Sequence, residues 1–319
     1  MTSEAPARLI QWTGERCVPW TDDVQVIYEH LSRYHFAAGP VTGRRVVDVG
    51  SGEGYGAALL AATAAEVLGI ELDPASVEHA RSTHRRPNLD FVEGSVLDPA
   101  SFGDRRFDVA VCFEVLEHLH EQEVLLENIG RALGDEGLLL ISTPDREVYS
   151  APGAPPNPYH VRELTRDEFA GLLGAHFAHV AVWGQWTVCG ARMESLDGTP
   201  ATAPGAISVA LRDGGWEVAE TPRPTYLLAA ASRAPLPPLP ASWELRDHGL
   251  ELAGSVRRLL GTAHERIAAL EAEVARLSAP APSGPPAPGT VVPAATEALR
   301  HLGRRGAEVM RRARRRVSG

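Results

Sequence analysis

The sequence predicts an α/β protein with a mostly parallel sheet covered by helices on both faces. Three observations carry that prediction. Short β-branched runs alternate with Ala- and Leu-rich stretches of helical length, the first run ends in a cluster of glycines, and two proline-rich stretches set a large body apart from the C-terminal residues. At 319 residues, 44% hydrophobic and 23% charged, the chain has enough apolar material for a substantial core and is not disordered throughout.

The elements run in order along the chain. Tyr28 to Tyr34 lies in an amphipathic helix that precedes the core and forms a capping region over residues 1–40. Arg45–Val49 reads as the first strand and Glu66–Glu71 as the second. Leu89–Val92, Phe107–Cys112 and Gly137–Ser142 come next as strands, with Gly56–Ala65, Pro74–Arg86 and Glu121–Leu133 as the helices between them. Asp73 before Pro74 is placed to cap its helix, with Pro in the first turn. Phe177–Gly184 and Thr225–Ala231 add two late strands, which brings the sheet to seven.

The body spans 41–234, with a Gly-, Thr- and Pro-rich insertion over about 185–224. Residues 235–240, with four prolines in six positions, and 279–293, with six in fifteen, read as extended linkers. Between them, 241–278 has apolar residues at steps of three and four from Leu252 to Leu277. That spacing suits a short coiled coil that makes a homodimer, or a helix lying on the body. Residues 294–319 form a basic tail.

Charge and composition exclude several classes. No Lys occurs, so all 31 basic residues are Arg. Residues 291–319 carry a net charge of +6, which leaves −16 of the total −10 on the rest. An acidic body with a basic tail is not the profile of a duplex nucleic-acid binder. The tail reads as a solvated end or as a peripheral contact to anionic lipid. No apolar run approaches the roughly 20 residues of a membrane helix. Cys17, Cys112 and Cys189 are too few and too scattered for a disulfide or zinc framework. With no signal-peptide pattern at Met1–Trp12, a cytoplasmic setting is expected.

Two segments carry chemistry. Asp48-Val-Gly50-Ser51-Gly52-Glu-Gly54-Tyr-Gly56 joins the first strand to the first helix, where open α/β sheets bind ligands. It reads as a glycine turn capped by Asp48 or as a ligand cradle. As a cradle it disfavours a pyrophosphate, because the Asp48 carboxylate would repel one; a cationic or hydroxyl-bearing ligand suits it better. That counts against a nicotinamide-dependent oxidoreductase. Glu71, 23 positions after Asp48, is placed to accept both hydroxyls of a ribose. The second segment is Phe113-Glu114-Val-Leu-Glu117-His118. If Glu114 opens a helical turn, Glu114, Glu117 and His118 share one side. With His160 from Asn157-Pro-Tyr-His they form a candidate site for a divalent metal (Mg, Mn or Zn). Without a metal, His118 or His160 is a candidate catalytic base. Cys112 reads as buried, not catalytic.

Together, Asp48-Val-Gly-Ser-Gly-Glu-Gly, Gly69-Ile-Glu-Leu-Asp and Phe107-Asp-Val-Ala-Val-Cys-Phe-Glu-Val-Leu-Glu-His resemble successive motifs of the class I S-adenosylmethionine-dependent methyltransferases, over about residues 40–185. The resemblance implies a Rossmann-like fold and S-adenosylmethionine as cofactor. By it, Asp48, Gly50, Ser51 and Gly52 line the methionine part, Glu71 and Leu72 hold the ribose, Ser95 and Val96 flank the adenine, and Glu114 faces the cofactor. Arg33 is the candidate partner of the cofactor carboxylate. Thr13-Gly-Glu-Arg16, Tyr28–Tyr34 and Thr143–Phe169 are similar to a bacterial subgroup linked to glycans and sugar-containing metabolites. That subgroup commonly has Asn where Asp145 stands, a difference that bears on substrate choice. The expected reaction is O-methylation of a sugar hydroxyl in a glycan, glycolipid or secondary metabolite. Two other readings stay open: a metal-dependent enzyme for a catechol-like or RNA ribose hydroxyl, and a non-catalytic cofactor-binding scaffold.

Overall fold

The computed structural model describes residues 18, 23–188, 208–212, 215–247 and 270. The chain divides into two compact units, Met1–Leu260 and Gly261–Gly319, and Leu270 is the one described residue of the second. The rest of the expected helix or coiled coil at 252–277, the second proline-rich stretch and the basic tail lie outside the described residues, as do Thr13–Arg16 and residues 189–207 of the insertion.

The first unit holds a seven-stranded sheet. Its strands are β1 (Arg45–Val49), β2 (Glu66–Glu71), β3 (Leu89–Glu93), β4 (Phe107–Phe113), β5 (Leu133–Pro144), β6 (His179–Gln185) and β9 (Tyr226–Ser232), in the order β3-β2-β1-β4-β5-β9-β6. β1 to β5 pair in parallel, while β9 runs antiparallel between β5 and β6. β7 (Ser208–Arg212) and β8 (Gly215–Ala219) form a separate hairpin within the insertion. The central strands read as continuous apolar runs because helices cover both faces and no position alternates out to water. Val46, Val47, Val49, Val109, Ala110, Val111 and Leu139 to Ile141 are fully buried. Burying each Val, Leu or Ile among them stabilises the fold by about 1.5–3 kcal/mol.

The helices are α1 (Val24–Ala38), α2 (Tyr55–Leu60), α3 (Pro74–Thr83), α4 (Gln122–Ala132), α5 (Arg146–Tyr149) and α6 (Arg166–His176). Asp23 caps α1 through the amides of Gln25 and Val26, and Asp73 caps α3 with Pro74 in its first turn. Thr165 and Glu168 close a reciprocal capping box on α6. One face of the sheet packs with α4 and α6, through Leu125, Leu126, Ile129, Phe169 and Leu173. The other packs with α1 to α3, through Tyr34, Phe36, Leu60, Val77 and Ala80.

Three departures from the sequence reading stand out. α2 ends at Leu60, five residues short of the expected length, because Ala62 and Thr63 bond three residues back and tighten the exit into a turn. The proline-rich stretch 235–240 is not a free spacer. Leu236 and Leu239 lie against the apolar layer under α1, the Trp183 indole donates to the Pro240 carbonyl (3.1 Å), and Trp243 meets Phe36 edge-on. The two leucines of Pro-Leu-Pro-Pro-Leu-Pro, three positions apart, are the side chains of this stretch that meet the body. Residues 241–247 then contain no helix, and the Tyr28 hydroxyl donates to Asp247 at 2.5 Å.

Candidate active site

The glycine loop leaves β1 at the carboxyl edge of the sheet. Gly50, Gly52 and Gly54 all take positive φ (75°, 57° and 92°), which side chains with a Cβ rarely adopt. A Cβ on Gly50 would run into Val115, and one on Gly54 into Phe91 and Ala80. Glu71 ties the loop to β2: its carboxylate accepts from the Gly52 and Asp73 amides, each at 2.9 Å. Glu53 anchors the loop from behind, with Oε2 at 3.3 Å from His79 and 3.2 Å from His84 on α3 and its end.

Asp48 is fully buried below the loop, and its carboxylate accepts from the Tyr34 hydroxyl at 3.2 and 3.3 Å. Burial pushes its pKa up to about 7 against the lowering by the Tyr34 bond, with Glu71 adding to the rise. Tyr34 reaches this position because Gly56 has no side chain; a Cβ there would strike the tyrosine ring. Edge contacts with Tyr55 and Phe113 fix the ring.

Beside the loop, α1 lowers Arg33 onto the edge of β4, β6 and β9. Its side chain is 1% exposed. Nε donates to Gln185 at 2.7 Å, the guanidinium lies 4.5 Å over the Tyr226 ring, and NH1 is 3.4 Å from Glu114. Neither terminal nitrogen has a hydrogen-bond acceptor among the described residues. Glu114 has φ 55°, the one left-handed non-glycine residue among those described, and its carboxylate accepts from Ser142 at 2.6 Å. Burial, with the charges of Glu114 and Glu29, drives the Tyr226 phenol far above its usual range.

That backbone turn corrects the shared-face expectation. The helical turn is a 3-10 helix covering only Leu116–His118, so Glu114 lies outside it and turns to Arg33 and Ser142. Glu117, His118 and His160 instead come together, with one ligand atom of each within 4.8 Å of the others; Glu114 does not belong to that group. The loop that supplies His160 is stitched to the turn. Val161 and Arg162 amides donate to the Glu117 carbonyl, and Gln122 donates to Leu116 and Arg162. The Glu117 carboxyl accepts from the buried Thr143, and burial with the Glu114 charge raises its pKa well above the carboxylate range.

Asp48, Ser51, Glu71, Ser95 and Glu114 thus follow β1 to β4 along one edge of the sheet. Leu72 projects into solvent at 69% exposure, and Val96 is partly buried with its carbonyl held by Asn128. Asp145 caps α5, is fully buried, and pairs with Arg223 from the end of the insertion (3.3 Å). Cys112 is a buried free thiol. Gln185 and Tyr226 escape the sequence reading because their partners are fixed only by the fold: Arg33 and Gln185 are 152 positions apart.

A family model described as a methyltransferase domain matches residues 23–186, from the start of α1 through β6. A probable S-adenosylmethionine-dependent methyltransferase of Mycobacterium tuberculosis is 37% identical over 205 residues, which cover 61% of this chain and 70% of that protein. A probable S-adenosylmethionine-dependent methyltransferase of Mycolicibacterium smegmatis is 39% identical over 170 residues (50% and 62%). A ubiquinone biosynthesis O-methyltransferase of Azorhizobium caulinodans is 28% identical over 127 residues (39% and 50%). With that model covering more than half of the chain, on a parallel sheet that opens into a glycine cradle, this protein belongs to the class I S-adenosylmethionine-dependent methyltransferases.

Proposed function

We propose that the protein methylates a hydroxyl oxygen, and that the acceptor is a sugar hydroxyl in a glycan, glycolipid or secondary metabolite. The observation that carries the oxygen chemistry is the pair of imidazoles, His118 and His160, at 5.1 Å beside the end of β4. A hydroxyl is a poor nucleophile until a base takes its proton, and a neutral imidazole suits that task near neutral pH. The similar ubiquinone biosynthesis enzyme is itself named an O-methyltransferase, which fits this reading.

The residues present fit the cofactor. The glycine bend lets a ligand approach the backbone without a Cβ in the way, and Asp48 supplies negative charge beneath it. Ser51 Oγ and the two Arg33 nitrogens are buried polar atoms without hydrogen-bond partners among the described residues, a costly arrangement that a bound carboxylate and hydroxyl groups would relieve. In this reading Gly50, Ser51 and Gly52 hold the methionine part, Glu71 and Leu72 the ribose, Ser95 and Val96 the adenine, and Arg33 the carboxylate. When bound, S-adenosylmethionine would supply a sulfonium methyl whose carbon an oxygen nucleophile can attack in line, with the thioether as leaving group. The chain aligns the acceptor and receives its proton; alignment of this kind contributes on the order of 7–11 kcal/mol in favourable cases.

A second reading is favoured by one specific observation, the close grouping of Glu117, His118 and His160. There a divalent cation (Mg, Mn or Zn) would activate the hydroxyl. The test is transfer of labelled methyl to a panel of glycans, glycolipids and small hydroxyl compounds, before and after stringent chelation. An O-methylated sugar formed equally well after metal removal is expected. Product methylated only on carbon or nitrogen would overturn the oxygen assignment. Activity lost on chelation and restored by one cation would establish the second reading.

A further inference from the structure

We infer that the loop Asn157–Glu163 is a device that sets tautomers: it holds both imidazoles with the proton on Nδ1 and the lone pair on Nε2. Glu163 is then the positioning residue for His160. The proposal rests on the oxygen-methylation reading for its purpose, but not for its evidence.

Among the described residues the hydrogen bonds to the two Nδ1 atoms agree on one assignment, with the Glu117 carboxyl 4.0 Å from His118 Nε2. His118 Nδ1 lies 3.0 Å from the Tyr159 carbonyl, which can only accept, so this nitrogen carries the proton. His160 Nδ1 lies 2.6 Å from a Glu163 carboxylate oxygen, and both side chains are 8% exposed. A carboxylate also accepts, so His160 is protonated on Nδ1 as well. The opposite edge of His160 agrees. Asn157 Oδ1 accepts from the Tyr159 amide at 3.0 Å, which fixes the amide group the right way round. Its Nδ2 therefore donates, to His160 Nε2 at 3.0 Å and to the Tyr149 hydroxyl at 3.3 Å. The single residue Tyr159 orders both rings: its N–H orients the amide facing His160, and its carbonyl accepts from His118 Nδ1–H. Tyr149 stacks on His160 with 29° between the planes and holds the ring against rotation.

The chemistry comes from these positions. A hydroxyl that donates to His160 Nε2 takes the place of one Asn157 N–H, which retains the Tyr149 oxygen as its second acceptor. As the O–H proton passes to Nε2, the ring becomes an imidazolium, and the Glu163 carboxylate stabilises the positive charge through Nδ1–H. If a cation occupies the Glu117, His118 and His160 group, the same arrangement offers it neutral Nε2 donors with the far nitrogen held, the usual support for a ligating histidine. Either way the lone pair at Nε2 is what Glu163 secures.

The direct test is long-range 15N–1H correlation spectroscopy of the full chain, with the His160 signals assigned by their loss in His160→Gln. A protonated Nδ1 and an unprotonated Nε2 are expected for neutral His160. A protonated Nε2 would overturn the proposal without any assay of activity. In Glu163→Ala the Nε2–H fraction should rise above the wild-type level, opposed by the Asn157 N–H that still faces Nε2, and in Glu163→Asp the Nδ1–H form should return. With an acceptor in hand, Glu163→Ala should lower kcat by about a hundredfold or more while leaving the affinity for S-adenosylmethionine unchanged, and Glu163→Asp should recover most of the loss. Wild-type kcat in Glu163→Ala would also overturn it. A wild-type protein that methylates no hydroxyl defeats the oxygen reading, and the spectra still decide the tautomer.

Discussion

Asp48 couples the fold to pH through one proton. Its carboxyl titrates at about 7, well above the ordinary value, so the folded chain holds the proton more tightly than the unfolded chain does. That contribution is present in full below about pH 4, declines as pH rises, and is gone above about 7, for a total of about 4 kcal/mol. Asp48→Asn should therefore gain stability relative to the wild type as pH rises from about 5 to about 7.5, seen as a widening gap between melting temperatures. Parallel melting curves across that range would contradict the assignment. The same ionisation favours a cationic ligand, so calorimetric affinity for S-adenosylmethionine should be higher at about pH 8 than at about pH 6. Glu71 has two jobs, since its carboxylate orders the Gly52 and Asp73 amides as well as facing the proposed ribose site. Glu71→Ala should weaken cofactor binding roughly 10- to 100-fold, and unchanged affinity would remove Glu71 from that role. Residues that act through nearby backbone, such as Asp73 as a cap, are legible in the sequence. Those that act across the fold, such as Gln185 and Tyr226 around Arg33, are not, because no local pattern encodes a contact between positions so far apart.

Among the elements, α1 and the glycine loop depend on each other. Gly56 makes room for Tyr34, and Tyr34 reaches Asp48. Gly56→Ala should expel the ring from its slot and cost about 1–3 kcal/mol by overpacking, measured by denaturant unfolding. Tyr34→Phe, which keeps the packing, should cost less and shift the pH dependence described for Asp48. The strands are legible because a doubly covered sheet demands apolar runs, and all seven occur close to the expected positions. The Glu114 segment reads as helical from sequence because its residue types permit a helix. The left-handed turn at Glu114 is imposed by tertiary contacts with Ser142 and Arg33, against local preference.

For the whole molecule, the segment after β9 matters more than its composition suggests. Residues 235–247 cross the outside of α1 and β6, and Tyr28 is joined to Asp247 across 219 positions. Leu239→Ala should lower stability by about 1–2 kcal/mol and Tyr28→Phe by about 1 kcal/mol, read from urea midpoints. A free linker would show neither effect. Among the described residues no helix is long and apolar enough to cross a membrane.

The place of β9 has a consequence for how the chain comes into being. Residues 226–232 slot between β5 and β6, which were made long before them, so β6 has no sheet partner until synthesis has passed Ser232. A ribosome-bound chain that stops short of that point holds the glycine bend and both imidazoles in sequence, yet lacks the Tyr226 ring that lies against Arg33. The seven-stranded sheet is completed late, by the insertion of a single strand.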